Sequence, residues 1–193
     1  MRRCGMSEIA IRVLGEEDWR RYRDVRLAAL EESPQAFTAS YAEESGQDEN
    51  YWRERMRRSW RFLAEESGRA TGVVSLVRSD DDHGVGEIFG LYVTPEARNT
   101  GTSWRLVQAA ADRAKEEGFR QVHYWVGTEN ARAIAFAANF GFRPSGDRRA
   151  TRRVDNEEFG DQEVAMVLSL LADPGSVPNP NRGRASYNEG PLR

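Results

Sequence analysis

A short polar turn, set between an apolar run and a helical pattern, is the stretch of sequence best suited to bind a phosphate. The apolar run, Ile88 to Val93, is rich in β-branched and aromatic residues and stops before Pro95. The turn, residues 98–103, reads RNTGTS, and apolar residues at helical spacing follow from Trp104. The first N–H groups of a helix lack partners, and the helix dipole makes that end positive. The pattern predicts an anion site, although many strand–helix joints bind nothing.

Two sets of residues in this region resemble the motifs of the GCN5-related N-acetyltransferase (GNAT) family. The first matches the family pattern Val-x-Pro followed by Arg/Gln-x-x-Gly-x-Gly/Ala, and consists of Val93, Pro95, Arg98, Gly101 and Ser103. The second matches Asn-x-x-Ala, an apolar residue and a Gly-Phe pair, and consists of Asn130, Ala133, Phe136, Gly141 and Phe142. Two motifs in the family's order and spacing are far more specific than either one, and the resemblance covers about residues 8–170.

The resemblance implies a mixed α/β fold of the α+β type. A central, mostly antiparallel, twisted sheet is splayed at a β-bulge and flanked by helices. It also implies an enzyme, an acyl-CoA-dependent N-acetyltransferase that moves the acetyl group of acetyl-CoA to an amine. Residues 1–171 form the expected domain. Residues 172–193 hold four of the seven prolines and are expected to be a mobile tail.

The resemblance also assigns the residues that would hold acetyl-CoA. Its pyrophosphate would lie on the main-chain N–H groups of the turn, namely Arg98, Asn99, Thr100, Gly101, Thr102 and Ser103. Small residues allow that close approach, and Ser103 replaces the family's Gly or Ala. The bulge near Leu91, Tyr92 and Val93 would pair with the pantetheine amides. Asn130 would reach the pantetheine arm, and Phe136 would pack along it or within the core.

Glu87 is the candidate general base, because many family members carry a glutamate at this position of the central strand. The acceptor amine must lose a proton, which a positioned carboxylate can take directly or through a water. The alternative is an ordinary surface glutamate. The main-chain N–H of Val93 would hold the developing oxyanion. No metal ligand set is visible around His83 and His123, so no metal is expected.

The position at which the family often has a tyrosine general acid is occupied by Ala137. Tyr92, Tyr124 or water could replace it, because the thiol of coenzyme A has a pKa of about 8.5 and leaves readily. An acyl-CoA-binding protein with little turnover is therefore one alternative. A subunit that recognises a protein partner, for instance through the tail, is another.

Several predicted elements must position these residues. The strands are expected near residues 9–13, 62–65, 70–77, 88–93 and 122–126, with a hairpin formed by 143–154 and 163–170. Helices are expected from Glu16 to Pro34, over Tyr51–Trp60, from Trp104 to Gly118 and over Asn130–Phe140.

The acceptor groove of the family lies between the first two helices and their loop. Residues 31–50 contain six acidic and no basic residues, which would attract a protonated amine or a basic peptide. A solvated acidic loop is the alternative. The acceptor therefore stays open between a small amine and a protein N-terminus or lysine, and a homodimer is also open.

The composition limits the classes of partner. A length of 193 residues suits one domain, and a net charge of −3 gives no case for nucleic acid or an anionic membrane. No apolar run approaches the roughly 20 residues that span a bilayer. Cys4 is the single cysteine, so no intrachain disulfide exists, and a cytoplasmic location is expected.

Overall fold

The computed structural model describes residues 8–150 and 162–171, which contain seven strands and five helices. The strands are β1 Ala10–Leu14, β2 Trp60–Glu66, β3 Arg69–Arg78, β4 Val85–Val93, β5 Gln121–Gly127, β6 Arg143–Ala150 and β7 Gln162–Ser169. The helices are α1 Trp19–Glu32, α2 Tyr41–Ser45, α3 Glu49–Arg58, α4 Thr102–Glu116 and α5 Ala131–Phe140. The predicted tail, 172–193, and the last residues of the first hairpin arm, 151–154, lie outside the described residues.

The strands form one sheet in the order β1-β2-β3-β4-β5-β7-β6. Every neighbouring pair is antiparallel except β4 and β5, which run parallel because helix α4 connects them. The predicted fold, a mixed α/β structure with a mostly antiparallel sheet, is confirmed. The predicted hairpin also forms in the described residues, where β6 pairs with β7.

The sheet opens in its middle, between the two parallel strands. Strand β4 pairs with β5 only over Val85–Ile88, opposite Gln121–Tyr124. On the side of β3, Gly90 and Leu91 together oppose a single residue, which makes a β-bulge. Gly90 has φ +63°, a conformation that glycine adopts without strain. The bulge was expected near Leu91 and begins one residue earlier.

Two apolar cores cover the two faces of the sheet. Helices α4 and α5 cover one face, where Val74 and Leu76 of β3 are buried. Helices α1 and α3 cover the other face, where Val73 packs with Tyr22 and Trp52. Adjacent residues of β3 therefore point into different cores, which accounts for the unbroken apolar run in its sequence.

The acid-rich segment is more ordered than the expected loop. Ser40 caps helix α2: its Oγ accepts from the Glu43 N–H (3.2 Å), and the Glu43 carboxylate accepts from the Ser40 N–H (2.7 Å). Helix α3 begins after Asp48, whose carboxylate accepts from the Tyr51 N–H. The helix expected over Tyr51–Trp60 therefore starts earlier, and it ends earlier because Trp60 joins β2.

Candidate active site

Helix α4 begins beside the open end of strand β4. After Val93 the chain makes one short helical turn, Pro95–Ala97, and reaches Gly101 immediately before the helix. Gly101 has φ +90°, which favours glycine. A Cβ atom at Gly101 would meet no atom within 4 Å, so the space in front of this main chain is open.

The main-chain N–H groups of residues 99–103 donate no hydrogen bond within the described part of the chain. The Arg98 N–H, which was also predicted to bind the pyrophosphate, instead donates to the Pro95 carbonyl at 3.3 Å, so the prediction is wrong for that group. The cap residue Gly101 has no side chain that could accept from the N–H groups of residues 99–103. These donors stand at the positive end of a helix of 15 residues. Asn99 has φ +65°, and Ser103 is half-buried in the first turn of α4. The turn therefore presents unused donors at a positive helix end, which are the features that a phosphate or pyrophosphate site needs.

The side chains of the turn are directed back into the protein. Arg98 donates through Nε to the Val93 carbonyl (3.2 Å) and through Nη2 to Glu32 (2.7 Å). The Ser33 hydroxyl and then Arg98 lower the pKa of the Glu32 carboxyl. Thr100 donates to a carbonyl of the preceding helical turn, so its bond to the buried Thr102 has Thr102 as donor. These side chains fix the turn, and its main chain is left to meet a ligand.

A cavity of about 450 Å³ lies where β4 and β5 separate. One wall consists of residues 87–91 of β4, and another of residues 124–127 of β5. Helix α5 contributes Asn130 and Ala133 to the cavity. On the opposite side, α1, α3 and the segment after α1 contribute polar and aromatic groups, namely Tyr22, Arg26, Phe37 and Arg55.

The predicted base, Glu87, lies in this cavity on the face of the sheet that α1 covers. Its Oε1 accepts a hydrogen bond from the Ser79 hydroxyl at 3.0 Å. Its Oε2 is 4.0 Å from Nη1 of Arg149, and the side chain is 25 % exposed. Arg149 lies over the Trp125 ring and also pairs with Glu163 at 2.7 Å. Glu87 is thus held in place while its carboxylate stays accessible from the cavity.

The peptide groups of Val93 point toward the open edge of β4. Successive N–H groups of an extended strand point to opposite edges. The Thr94 N–H donates to Thr71 on β3 (2.9 Å), so the Val93 N–H points away from β3. The Val93 carbonyl also lies on that open side, where it accepts from Arg98. The Val93 N–H therefore faces the gap between β4 and β5.

The remaining predicted cofactor residues divide into two groups. Leu91 and Asn130 line the cavity. Asn130 also caps α5, because its Oδ1 accepts from the Ala133 N–H at 3.0 Å. Tyr92 packs in the core beneath α1, and Phe136 packs against Phe140 and the core beneath α4 and α5. Neither aromatic ring is among the described residues that line the cavity.

One of the two tyrosines named as replacements for the missing general acid lies at the cavity. Tyr124 of β5 lines it, and burial, with a further contribution from Glu163, raises its pKa to about 12. Tyr92 does not line it. Ala137 is fully buried in α5, so no proton donor stands there.

A buried group of charged side chains lies between α1, α2 and α3, and it was not predicted from the sequence. Glu44, expected in a solvated acidic loop, is only 2 % exposed and accepts from Arg26 at 3.0 and 2.9 Å and from Arg55 at 3.1 Å. The expectation of a negative field from Glu44 is therefore wrong. Arg26 follows the buried aromatic residue Tyr22 of α1 by one helical turn, and this i, i+4 spacing is the signal that could have placed Arg26 inside.

The described residues contain neither a cluster of metal-binding side chains nor a helix that could cross a membrane. No three His, Cys, Asp or Glu side chains among residues 8–150 and 162–171 lie close enough to share a metal ion. Over the same residues, every helix is too short or too polar to cross a bilayer.

A family model for the acetyltransferase (GNAT) family matches residues 26–142, which is more than half of the chain. The chain belongs to the GNAT family. An uncharacterised N-acetyltransferase from Methanocaldococcus jannaschii is 34 % identical over 85 residues, which are 42 % of this chain and 38 % of that protein. The match thus spans well under half of the relative's length.

Solved GNAT structures share the fold at low sequence identity. The yncA acetyltransferase from Salmonella typhimurium, determined with its cofactor acetyl-CoA, has a TM-score of 0.65 and 21 % identity, and the match covers 90 % of this chain and 99 % of that one. The ribosomal-protein-S18-alanine N-acetyltransferase from Escherichia coli has a TM-score of 0.60 and 16 % identity, with 89 % and 100 % covered. At such identities the likeness establishes the fold of this GNAT member.

Proposed function

We propose that this GNAT member transfers the acetyl group of acetyl-CoA to an amine, in the cytoplasm. One observation carries the proposal: the unused N–H groups of residues 99–103, the open strand edge at Val93 and the carboxylate of Glu87 in the cavity follow one another from the start of α4 back along β4. Pyrophosphate, pantetheine amides and acceptor amine need these three kinds of group in this order.

Each part of the edge has its own task in the reaction. The main-chain N–H groups of residues 99–103 hold the pyrophosphate, and Leu91, Val93 and Asn130 guide the pantetheine arm. Acetyl-CoA supplies the acetyl group as a thioester: the amine nitrogen forms the new C–N bond, the C–S bond breaks, and sulfur leaves with the electron pair. Glu87 takes the proton that the amine loses and passes it to water. The Val93 N–H, which faces the gap, donates to the carbonyl oxygen as negative charge develops on it.

The proposal is tested by incubating the purified protein with acetyl-CoA and a panel of amines while free thiol is measured. Amine-dependent thiol release, with the acetylated amine identified by mass spectrometry, is the expected result. Titration calorimetry with acetyl-CoA tests binding separately. A protein that neither binds acetyl-CoA nor releases thiol with any amine would contradict the proposal.

A second candidate function is acyl-CoA binding with little turnover. The observation that favours it is Ala137, which is fully buried and leaves the family's usual acid position empty of any proton donor. Calorimetric binding of acetyl-CoA without thiol release in any amine series would support this alternative over the enzyme.

A further inference from the structure

The helix side of the cavity contains more positive than negative charge. The Arg61 guanidinium lies 4.6 Å over the Tyr22 ring, and Arg26 and Arg55 line the cavity together with Tyr22. In the described residues Glu44 is the one carboxylate that bonds any of these three arginines, and it accepts from Arg26 and Arg55. Arg61 is only 3 % exposed, and its hydrogen bonds go to neutral groups, the Ser75 hydroxyl and a main-chain carbonyl of α3. The cluster therefore holds three cations against one anion.

This charge excess is costly because the cluster is removed from water. A buried charge is tolerated when an opposite charge and hydrogen bonds compensate it. The Nε atoms of both Arg55 and Arg61 are buried and have no partner within the described part of the chain. Burial raises the pKa of the Tyr22 phenol, but the charges of the three arginines outweigh it and bring the pKa below its usual value. The cluster has unused donors and a positive potential, which an anion would satisfy.

The cluster is directed toward the place where an acceptor would lie. Arg26, Arg55 and Tyr22 line the same cavity as Glu87. The Arg26 guanidinium lies 4.7 Å over the Phe37 ring, which is also at the cavity wall. The described lining of the cavity takes no carboxylate from the acid-rich segment, in which Glu44 is turned inward and Glu32 pairs with Arg98.

We propose that the acceptor is a small amine that carries its own anionic group, such as an amino acid with a free carboxylate. The anion lies against Arg55, Arg26 and the Tyr22 hydroxyl, while the amine lies at Glu87. Guanidinium groups match the planar carboxylate with paired hydrogen bonds, and the aromatic walls fit an apolar side chain. This inference rests on the proposed amine acetylation and replaces the expectation of a basic acceptor.

A matched acceptor series tests the charge of the substrate. Phenylalanine, phenylalanine amide and phenethylamine share the amine and the ring, and only the first carries a carboxylate; the corresponding aminophosphonate tests a tetrahedral anion. We expect kcat/KM for a member with an anionic group to exceed that for both analogues without one at least about tenfold. Transfer without this preference overturns the inference alone. If no amine in any series causes thiol release, the inference fails together with the proposed function.

Two arginines of helix α3 give a matched pair of variants. Arg55→Gln removes a guanidinium at the cavity, whereas Arg53→Gln removes one that pairs with Glu49 and Glu16 at the surface. We expect Arg55→Gln to raise KM for the anionic acceptor about tenfold or more, while KM for phenethylamine and for acetyl-CoA stays within about twofold. Arg53→Gln should change none of these three KM values. An equal rise in KM for acceptors with and without an anionic group contradicts the inference.

A measurement on the unmodified protein covers the case in which Arg55→Gln does not fold. 3-Phenylpropanoate has the carboxylate and ring but no amine. We expect it to compete with the acceptor and not with acetyl-CoA, and its amide to inhibit far less. Equal inhibition by acid and amide overturns the inference.

Discussion

Gly101 and Glu87 are the two residues whose individual properties matter most at the candidate active site. Gly101 leaves the main chain before α4 uncovered, with φ +90° and free space at its Cβ position. Glu87 places a carboxylate in the cavity and is held by Ser79. The first property is one of backbone geometry and the second one of side-chain chemistry, so different substitutions test them.

Replacing Glu87 by Gln removes the proposed base with little change of shape. We expect kcat to fall about 100-fold or more while acetyl-CoA affinity stays within about twofold, because proton abstraction is lost and the cofactor turn is untouched. Steady-state kinetics and calorimetry measure the two quantities. Glu116→Gln, at a position 68 % exposed at the far end of α4, is the control. Unchanged kcat in Glu87→Gln would remove Glu87 from the mechanism.

Replacing Gly101 by Ala adds a methyl group at the open turn. Gly118 is a matched control, since it also has a positive φ, +77°, and free space at its Cβ position but lies at the other end of α4. The left-handed backbone conformation is strained for alanine, so each variant should lose about 1 kcal/mol of stability.

We expect only Gly101→Ala to weaken acetyl-CoA binding, by about tenfold or more, because the methyl group stands where the pyrophosphate approaches the main chain. Calorimetry measures affinity, and thermal unfolding measures stability. Equal affinities in the two variants would show that the turn does not bind the diphosphate.

At the scale of elements, α5 illustrates how one residue can serve both folding and binding. Asn130 supplies the cap of this helix through Oδ1, and its Nδ2 group is left to donate at the cavity. A serine, threonine or aspartate can also cap a helix, but none of them donates as an amide does. The two tasks can therefore be separated by choice of substitution.

Asn130→Asp should retain the cap and lose the amide donor, so we expect an unchanged melting temperature and weaker acetyl-CoA binding. Asn130→Ala should lose both and cost about 1 kcal/mol of stability. Thermal melts and calorimetry on the two variants provide the comparison. If Asn130→Asp binds acetyl-CoA as well as the unmodified protein, Asn130 serves only as a cap.

Elements with strong local signals were predicted from sequence, and those without them were not. The central strands β3 and β4 were predicted from their apolar runs, and the turn before α4 was predicted from its motif residues. Both signals are local, because periodicity and turn chemistry involve residues close together in sequence. The short helix α2 was missed, although Ser40 and Glu43 have the spacing of a capping box. Glu44 was predicted to lie in solvent because its partner Arg26 is 18 residues away in sequence, and no local sequence pattern indicates such a pair.

At the scale of the whole molecule, the charge cluster joins the helical layer to the sheet. Glu44 of α2 bonds Arg26 of α1 and Arg55 of α3, and Arg61 of β2 bonds a carbonyl of α3. Two of these elements, α1 and α3, line the acceptor side of the cavity through Tyr22, Arg26 and Arg55. Stability and acceptor recognition therefore depend on the same residues.

Glu44→Gln should destabilise the whole fold. It leaves the buried arginines without their carboxylate, and breaking a buried pair costs about 3–5 kcal/mol. For a chain of this length that is a decrease in melting temperature of roughly 10 °C. Glu54→Gln, which breaks only exposed pairs with Arg57 and Arg58, should cost at most about 1 kcal/mol. Similar melting temperatures for the two variants would contradict the importance of the buried cluster.

The short parallel pairing of β4 with β5 has a mechanical consequence. In the described residues, the main-chain bonds between the β1–β4 half of the sheet and the β5–β7 half are those of Val85–Ile88 with Gln121–Tyr124, together with the adjacent bond from the Arg120 N–H to the Gly84 carbonyl. This seam is the part of the sheet with the fewest bonds to break, so separation of the halves requires less free energy than global unfolding. A thioester lodged in the seam bridges both halves, and its arrival would slow deuterium uptake along the facing strand edges.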